Sequence, residues 1–462
     1  MAVKKGQEIE LTVEALAFGG KGIARINGLT VFVDQAIPGD RVFARIYKRK
    51  KNYAEARVLK RIISSKDRVP PRCVYSGFCG GCKLQFLDYA KQLDYKQRHV
   101  AETIAHIGMQ KDIYVHPTIA STRIFEYRNK MEFTCSDRRW LLPEEMEQGL
   151  NDTGIAVGLH VPGTYYKVLD TKACLLQPDL GNTILEHVRD YIRNSGYPIY
   201  GLRSHVGFWR FVMLRHSFAR DQWMVNLVTA AEDRREVQPL SDSLQKNFPT
   251  ISSVVNNITA KKAGVAMGEY EILLAGESNI IDSIDSFEFE ISANSFFQTN
   301  THSATLLYQV VKSFADLSGS EKVVDLYCGT GTIAIYLADE AESVFGIEMI
   351  PSAVADAKRN CQRNQIPNCH FICADVKQGL TTLNVKPDVM IIDPPRVGMH
   401  KEVVEQVLTL APKKIVYVSC NPATLARDIV LLKDSYKVLE IQPVDMFPHT
   451  FHIEAVANLE RA

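Results

Sequence analysis

Apolar and polar positions alternate in short runs at the start of the chain. Thr30-Val31-Phe32-Val33 and Arg41-Val42-Phe43-Ala44-Arg45 each place their apolar side chains on one face of a half-buried strand. Gly19-Gly20 and Pro38-Gly39 supply turns between such runs. About five strands of this kind within residues 1–62 predict a small barrel of the oligonucleotide-binding type. Pro70-Pro71 marks a boundary, and residues 88–108 then read as a helix stopped by Gly108. From Ile124 to Gly276 the pattern predicts strands with a few helices, as in Tyr127 to Phe133 and Trp223 to Val228. Beyond residue 321 the rhythm becomes strand, helix, strand. The strands are Val323–Leu326, Ser343–Ile347, His370–Ile372, Val389–Ile392 and Ile415–Val418, with helices such as Ser352–Asn364 and Glu402–Ala411 between them. Short strands apolar on both faces, alternating with helices, call for a largely parallel, doubly wound α/β sheet.

Composition changes this picture little. Hydrophobic residues make up 46% and charged residues 23% of the 462, which suits a folded soluble chain. The opening MAVKKGQEIE has no apolar core after its lysines, and no run approaches the length needed to span a bilayer, so the expected location is the cytoplasm. Net charge is only +1, but residues 1–61 hold thirteen Lys/Arg against six Asp/Glu. That local excess, including Lys48-Arg49-Lys50-Lys51, suits a phosphate-contacting module; read alone, the run is equally a solvated hairpin tip.

Ten cysteines in a reducing compartment read better as metal ligands or catalytic groups than as disulfides. Cys73-x5-Cys79-Gly80-Gly81-Cys82 is the clustered set, and thiolates of this kind can hold zinc or an iron–sulfur cubane.

The first strand of the α/β region runs into Asp325-Leu326-Tyr327-Cys328-Gly329-Thr330-Gly331-Thr332. Gly329 and Gly331 allow a sharp turn and close approach of a ligand at the carboxyl edge of the sheet. Glu348, at the end of the next strand, can accept both hydroxyl hydrogens of a ribose. A nicotinamide dinucleotide would fit these features, but the segment lacks the G-x-G-x-x-G fingerprint. Acidic Asp325 and Glu348 suit the cationic S-adenosylmethionine better.

Two further strand ends carry reactive groups, Ile391-Ile392-Asp393-Pro394-Pro395-Arg396 and Val418-Ser419-Cys420-Asn421-Pro422. Enzymes that methylate exocyclic amines place an aromatic residue after the two prolines; Arg396 stands there instead, with a cysteine at the next strand end. The C5 carbon of a pyrimidine is a poor nucleophile, and a thiolate added to C6 turns C5 into an enolate carbon that can take a methyl group. A base must then remove the C5 proton. Cys420 is the candidate thiol; a buried core cysteine is the bland alternative. A strand over 451–457 would put His452 and Glu454 on one face, making Glu454 the candidate base. A metal held by His449, His452 and Glu454, or a merely solvated Glu454, are the competing readings.

Together with Ser295-Phe296-Phe297-Gln298-Thr299-Asn300, the blocks DLYCGTGT, IIDPPR, SCNP and HTFHIE resemble, in order and over nearly the whole chain, the RNA uridine-C5 methyltransferase family. The resemblance implies that Cys420 is the nucleophile and Glu454 the proton acceptor. It implies that Gln298, Tyr327, Glu348 and Asp393 contact S-adenosylmethionine, with Asp375 near the adenine and Thr332 where some relatives carry Asn. Residues 1–62 resemble the family's RNA-binding TRAM barrel. Cys73, Cys79, Cys82 and a distant Cys174 resemble the ligand set of a [4Fe-4S] cluster in some members. The implied organisation is TRAM barrel 1–62, a central α+β iron–sulfur and RNA-recognition domain 63–290, on whose helix 88–108 the catalytic domain can pack, and a Rossmann-like class I methyltransferase domain 291–462. The implied protein is a monomer acting on RNA, 23S ribosomal RNA above transfer RNA. Cys135, Cys328, Cys361, Cys369 and Cys373 have no partner pattern and read as packing residues.

Three rival readings stand beside this one. A radical S-adenosylmethionine enzyme needs C-x3-C-x2-C, which this cysteine spacing lacks. A non-catalytic RNA-binding protein has no need of Cys420 and Glu454. Cytosine C5 methylation usually places its cysteine after the fourth strand, whereas Cys420 follows the fifth.

Overall fold

The computed structural model describes residues 3–109, 112–151, 154–262 and 264–462. Met1 and Ala2, part of the expected barrel and of the opening stretch, lie outside the described residues, as do 110, 111, 152, 153 and 263 of the expected central domain.

Alternation works in the N-terminal region as the pattern implies. In Arg41–Arg49, Val42, Ala44 and Ile46 are buried while Arg41, Phe43 and Arg45 face outward. The inward residues of this strand, of Leu29–Asp34 and of Tyr53–Ile63 form one cluster around which the sheet curves. The sheet has six strands where the sequence suggested about five. The addition, Ala15–Leu16, is only two residues long and pairs with Gly22 and Ile23. Two residues are too few to show alternation. A side chain at Gly22 would meet Ala36 O and Val13 Cγ1, both at 2.7 Å, so the strands meet there only over glycine. The basic run straddles the turn between Arg41–Arg49 and Tyr53–Ile63; Lys48 is tied to Glu55, while Lys50 and Lys51 are exposed at the tip.

Asp40 joins the barrel to the central region. Its fully buried carboxylate accepts from the amides of Ile37 (3.0 Å) and Ser65 (2.9 Å) and pairs with Arg68. Burial alone would raise its pKa, but Arg68 and the two amides outweigh it and hold the group below its usual value.

The middle of the chain builds an eight-stranded sheet with Trp209–Ser217 near its centre, buried at all nine positions. Helix Tyr89–His106 is capped by Asp88 and directs Val100 and Ile104 into the core of the C-terminal sheet. Tyr114–Val115 then adds a short parallel strand to that sheet, beside Tyr436–Val444. The hairpin of Asn279–Ile284 and Phe287–Ser292 spans position 290 and packs Ile280, Ile284, Phe289 and Ile291 into the C-terminal core.

The C-terminal sheet is α/β and doubly wound. Its first five strands, Lys322–Leu326, Ser343–Glu348, Cys369–Cys373, Val389–Ile392 and Lys414–Ser419, are parallel and stand in the order third, second, first, fourth, fifth. The seventh strand, Glu454–Arg461, runs antiparallel between the fifth and the sixth, Tyr436–Val444. Val323, Val324, Ile391, Ile392, Val416 and Tyr417 are fully buried, as strands covered on both faces require. The strand order reverses between the first and fourth strands, and a crevice opens at their carboxyl ends.

Candidate active site

The fifth strand ends at Ser419, and the turn after it is tightly determined. The Asn421 amide donates to Ser419 Oγ (3.1 Å), and Asn421 Oδ1 caps the helix Pro422–Leu432 by accepting from the Ala423 amide (3.1 Å). Pro422 occupies the first helical turn, where its missing N–H costs nothing. Cys420 is therefore held, half-buried, between a rigid strand and a capped helix. Asn421 Nδ2 also donates to the carbonyl of Arg396 (3.1 Å), tying this turn to the loop after the fourth strand.

Register brings the second group. The fifth and seventh strands pair antiparallel as far as Ser419 and Ala455; Cys420 and Glu454 are the next residue of each, and the Glu454 charge acts on the thiol. Glu454 is buried, and burial followed by the charge of Asp393 pushes its pKa well up, with Arg396 opposing. Burial pushes the Cys420 thiol up to about 11, helped by Glu454 and Asp393 and opposed by Arg396. Asp393, at the end of the fourth strand, is raised by burial to about 7. Thiol and carboxyl groups this close cannot all be ionised together. Such a pair can form a bond to a planar electrophile and take a proton from it.

The expected strand over 451–457 begins later than its pattern suggested and runs on to Arg461. It starts at Glu454, because Thr450 Oγ1 accepts the His452 amide (3.2 Å) and bends the chain beforehand. His452 stays outside the strand, lowered to about 4 by burial and by Arg396, Lys96 and Arg128. His449 turns away to Gln92 Nε2 (3.2 Å from its Nδ1) and to the Phe125 ring, 4.4 Å between centroids. A metal on His449, His452 and Glu454 thus finds no gathered ligand set among the described residues.

Helix Tyr89–His106 braces this segment from 349 positions away in sequence. Lys96 Nζ meets Asp445 Oδ1 at 2.6 Å, both side chains buried, and Tyr89 OH donates to Asp445 Oδ2 (3.0 Å). Breaking such a pair from one side leaves a buried charge without compensation.

The crevice beside Cys420 suits a cationic ligand. Asp325 is 1% exposed, its oxygens make no well-formed hydrogen bond, and the Ala334 amide gives weak relief. Burial and then the charge of Asp393 push its pKa well up, so a cation in the crevice would satisfy it. Tyr327 follows with φ +62°, an uncommon conformation for an aromatic residue and a mark of functional strain. A side chain at Gly331 would strike the Phe371 ring (2.9 Å), whereas nothing lies within 4 Å of one at Gly329, leaving open space on the crevice side. Glu348 holds the loop by accepting from the amides of Gly329 (3.1 Å) and Ile350 (2.8 Å), with lone pairs left for a ligand's hydroxyls. Thr332 bonds to Tyr308 OH (2.8 Å), and the Gln298 side chain reaches the same hydroxyl. Asp375 caps the helix Val376–Thr382 through the Lys377 amide (3.0 Å) and acts electrostatically on Tyr327.

With this geometry in view, residues 277–462 match the tRNA (Uracil-5-)-methyltransferase family and residues 2–59 the TRAM domain. An uncharacterized RNA methyltransferase of Chlorobaculum tepidum is 41% identical, covering 99% of this chain and 97% of its own. One from Halalkalibacterium halodurans is 37% identical, covering 99% and 98%. The crystal structure of Pyrococcus abyssi tRNA (uracil-54, C5)-methyltransferase in complex with S-adenosyl-L-homocysteine superposes with a TM-score of 0.76 at 28% identity, covering 98% of this chain and 100% of that one. The chain belongs to the RNA uracil-5-methyltransferase family.

In this methyltransferase the doubly wound domain is the Rossmann-like catalytic fold, preceded by a TRAM barrel. A second thiol site lies apart from the crevice. Cys73, Cys79, Cys82 and Cys174 line one cavity of about 450 Å³, with Arg128, His160 and Thr299 among its other walls. Burial and then the neighbouring Cys174, Cys79 and Cys73 raise Cys82 to about 12. The Gly81 amide donates to Cys79 Sγ (3.4 Å), and Gln85 Nε2 to Cys82 Sγ (3.8 Å). Among the described residues no His, Cys, Asp and Glu side chains gather tightly enough for a single metal ion.

Of the cysteines read as packing residues, Cys135, Cys328 and Cys361 are buried, but Cys373 is exposed. It ends the edge strand Cys369–Cys373 of the sheet, whose first residue, Cys369, is half-buried. Sequence reading also missed Tyr308, Lys96 and Asp445. Tyr308 sits in an ordinary apolar helix face, and Lys96 and Asp445 look like surface charges until the fold pairs them.

Proposed function

We propose that this enzyme methylates C5 of a uridine in RNA, with S-adenosylmethionine as methyl donor, through a transient bond between Cys420 and C6. The nearness of Cys420 and Glu454, just beyond the last pair of the ladder, Ser419 and Ala455, carries the reading. The Cys420 thiolate adds to C6, and the C5–C6 double-bond electrons move into the ring as an enolate. C5 then attacks the sulfonium methyl, releasing S-adenosylhomocysteine. Glu454 takes the C5 proton, the double bond re-forms, and the thiolate leaves. Glu454 suits that step because its raised pKa makes its ionised form a stronger base.

Gln298, Tyr327, Gly329, Gly331, Thr332, Glu348, Asp375 and Asp393 hold the donor in this reading. The orphaned Asp325 carboxylate supports a cationic ligand there, and Asp325 joins the set. The four cysteines 73, 79, 82 and 174 would hold a [4Fe-4S] cluster. Four thiols lining one cavity are the donor set such a cluster takes. Such a cluster supplies a structural, RNA-positioning anchor, since the methyl transfer moves no electron from outside. The TRAM barrel adds phosphate contacts, and the enzyme works as a cytoplasmic monomer.

The target in this reading is 23S ribosomal RNA, after the cluster-bearing layout. The likeness to the Pyrococcus abyssi enzyme favours transfer RNA as a second reading. Mapping 5-methyluridine by mass spectrometry in ribosomal and transfer RNA from a deletion strain separates them by which RNA loses the mark. For the chemistry, RNA with 5-fluorouridine at the target should form a denaturation-stable adduct, because fluorine cannot leave as a proton. Cys420→Ala should form none; an adduct at another residue sinks the proposal.

A further inference from the structure

We infer that the central sheet carries a second RNA contact, a stacking platform for single-stranded bases built from Trp140, Tyr165, Tyr166 and Arg203. This inference rests on the reading that the substrate is RNA, and it adds where the strand flanking the target runs.

Arg139–Trp140 is the edge strand of the central sheet, paired in parallel with Val168–Leu169. Tyr165 and Tyr166 lie in the turn just before that partner. The other tryptophans of the domain, Trp209 and Trp223, are 1% exposed and belong to the core, whereas Tyr165 is 67% exposed. Its ring stands 5.3 Å from that of Tyr166, nearly perpendicular at 76°. The Arg203 guanidinium carbon lies 3.7 Å from the centre of the Tyr166 ring, and Lys167 Nζ 3.9 Å from that of Trp140. An arginine laid on a tyrosine extends a flat π surface and adds charge to it. An exposed Tyr165 beside half-buried Trp140 and Tyr166, with cations laid on the latter two, matches alternating bases and phosphates.

Charge and shape agree. A cleft of about 340 Å³ is lined by Trp140, Tyr166 and Arg203, and a neighbouring one of about 610 Å³ by Tyr165 and Tyr200; Leu202 borders both. Arg138, Lys167, Arg203 and Lys262 line them with one acid, Asp137, while Arg139 is paired with Glu145 and Arg210 is buried against the Thr259 carbonyl. An apolar protein surface would suit this lining less well than a polyanion. The second cleft shares His160 with the cysteine cavity, whose lining also includes Thr299, next to Gln298. Such a surface reads bases by stacking and is tolerant of sequence.

The test is anisotropy of a fluorescein-labelled oligouridylate with the full-length enzyme, alongside steady-state methylation of its RNA. Tyr165→Ala combined with Tyr166→Ala and Arg203→Ala should weaken Kd by about tenfold or more. It should raise KM for RNA by a similar factor, with a far smaller fall in kcat and no change in melting temperature. Tyr165→Phe with Tyr166→Phe keeps the rings and should keep the affinity, which holds the test open if the alanine variant folds poorly. A 4-thiouridine oligonucleotide should crosslink the unmodified enzyme within residues 161–167. Unchanged Kd and KM in the alanine variant, or crosslinks confined elsewhere, overturn the platform while a methylating parent leaves the enzymatic reading intact. A parent that neither binds RNA nor transfers methyl overturns the RNA reading itself.

Discussion

The molecule holds two sites built on half-buried thiols, and in both the thiol pKa is driven far up, to about 11 at Cys420 and about 12 at Cys82. Burial is the first cause in each, so protonation behaviour does not distinguish them. What stands beside the sulfur does. Cys420 has Glu454, Asp393 and Arg396 for neighbours, a possible base and a cation beside one thiol. Cys82 has Cys174, Cys79 and Cys73, other thiols with no base among them. A lone sulfur next to a base suits bond making and breaking; a sulfur among sulfurs suits a cation that all of them can share.

The largest effect that contrast predicts comes from removing one sulfur at each site. Cys420→Ala should lower methyl transfer on the order of 10⁴-fold or more, leaving any iron content intact. Cys82→Ala should abolish iron and its visible absorbance while activity falls by about tenfold. Equal losses from both variants would mean that the two sites are not separate in function. Next comes the base. Glu454→Gln should slow turnover by about 10²–10⁴-fold and let an adduct with ordinary uridine RNA accumulate on a denaturing gel. Rapid turnover by that variant removes Glu454 from proton transfer.

The smallest effect is in pH dependence. Cys420 is raised above its ordinary 9.0 to about 11, so the neutral thiol dominates below that value and the thiolate grows as pH rises. Glu454 is also raised, so its basic form likewise grows with pH. Both shifts point the same way, and initial adduct formation at limiting RNA should climb by about tenfold per pH unit towards alkaline pH. A flat profile between about pH 6 and 9 would show that the thiol is already ionised when RNA binds.

Much of the catalytic fold was legible because glycine, proline and asparagine punctuate it. Asn421-Pro422 announces a capped helix directly after a strand, and the structure starts that helix at Pro422. The strand ends bearing Asp325, Asp393 and Cys420 were readable for the same reason. The start of the seventh strand was not, since a threonine hydroxyl bends the chain before Glu454 where the apolar pattern looks continuous. Nor was Ala15–Leu16, whose pairing depends on a partner rather than on any periodicity. The hairpin Asn279–Ser292 shows the same limit, because its apolar face could have served either neighbouring core.

Local chemistry therefore belonged to the sequence: which residues cap, turn, alternate or carry a thiol is set by neighbours along the chain. Only the tertiary structure decided who meets whom. Pairing of the fifth and seventh strands brought Glu454 near Cys420, and long-range packing paired Lys96 with Asp445 and brought Cys174 to the cavity of Cys73. The physical reason is that burial and Coulomb interactions act through space. A pKa, a ligand cavity or a buried ion pair has no value until distant segments exclude water from the same place.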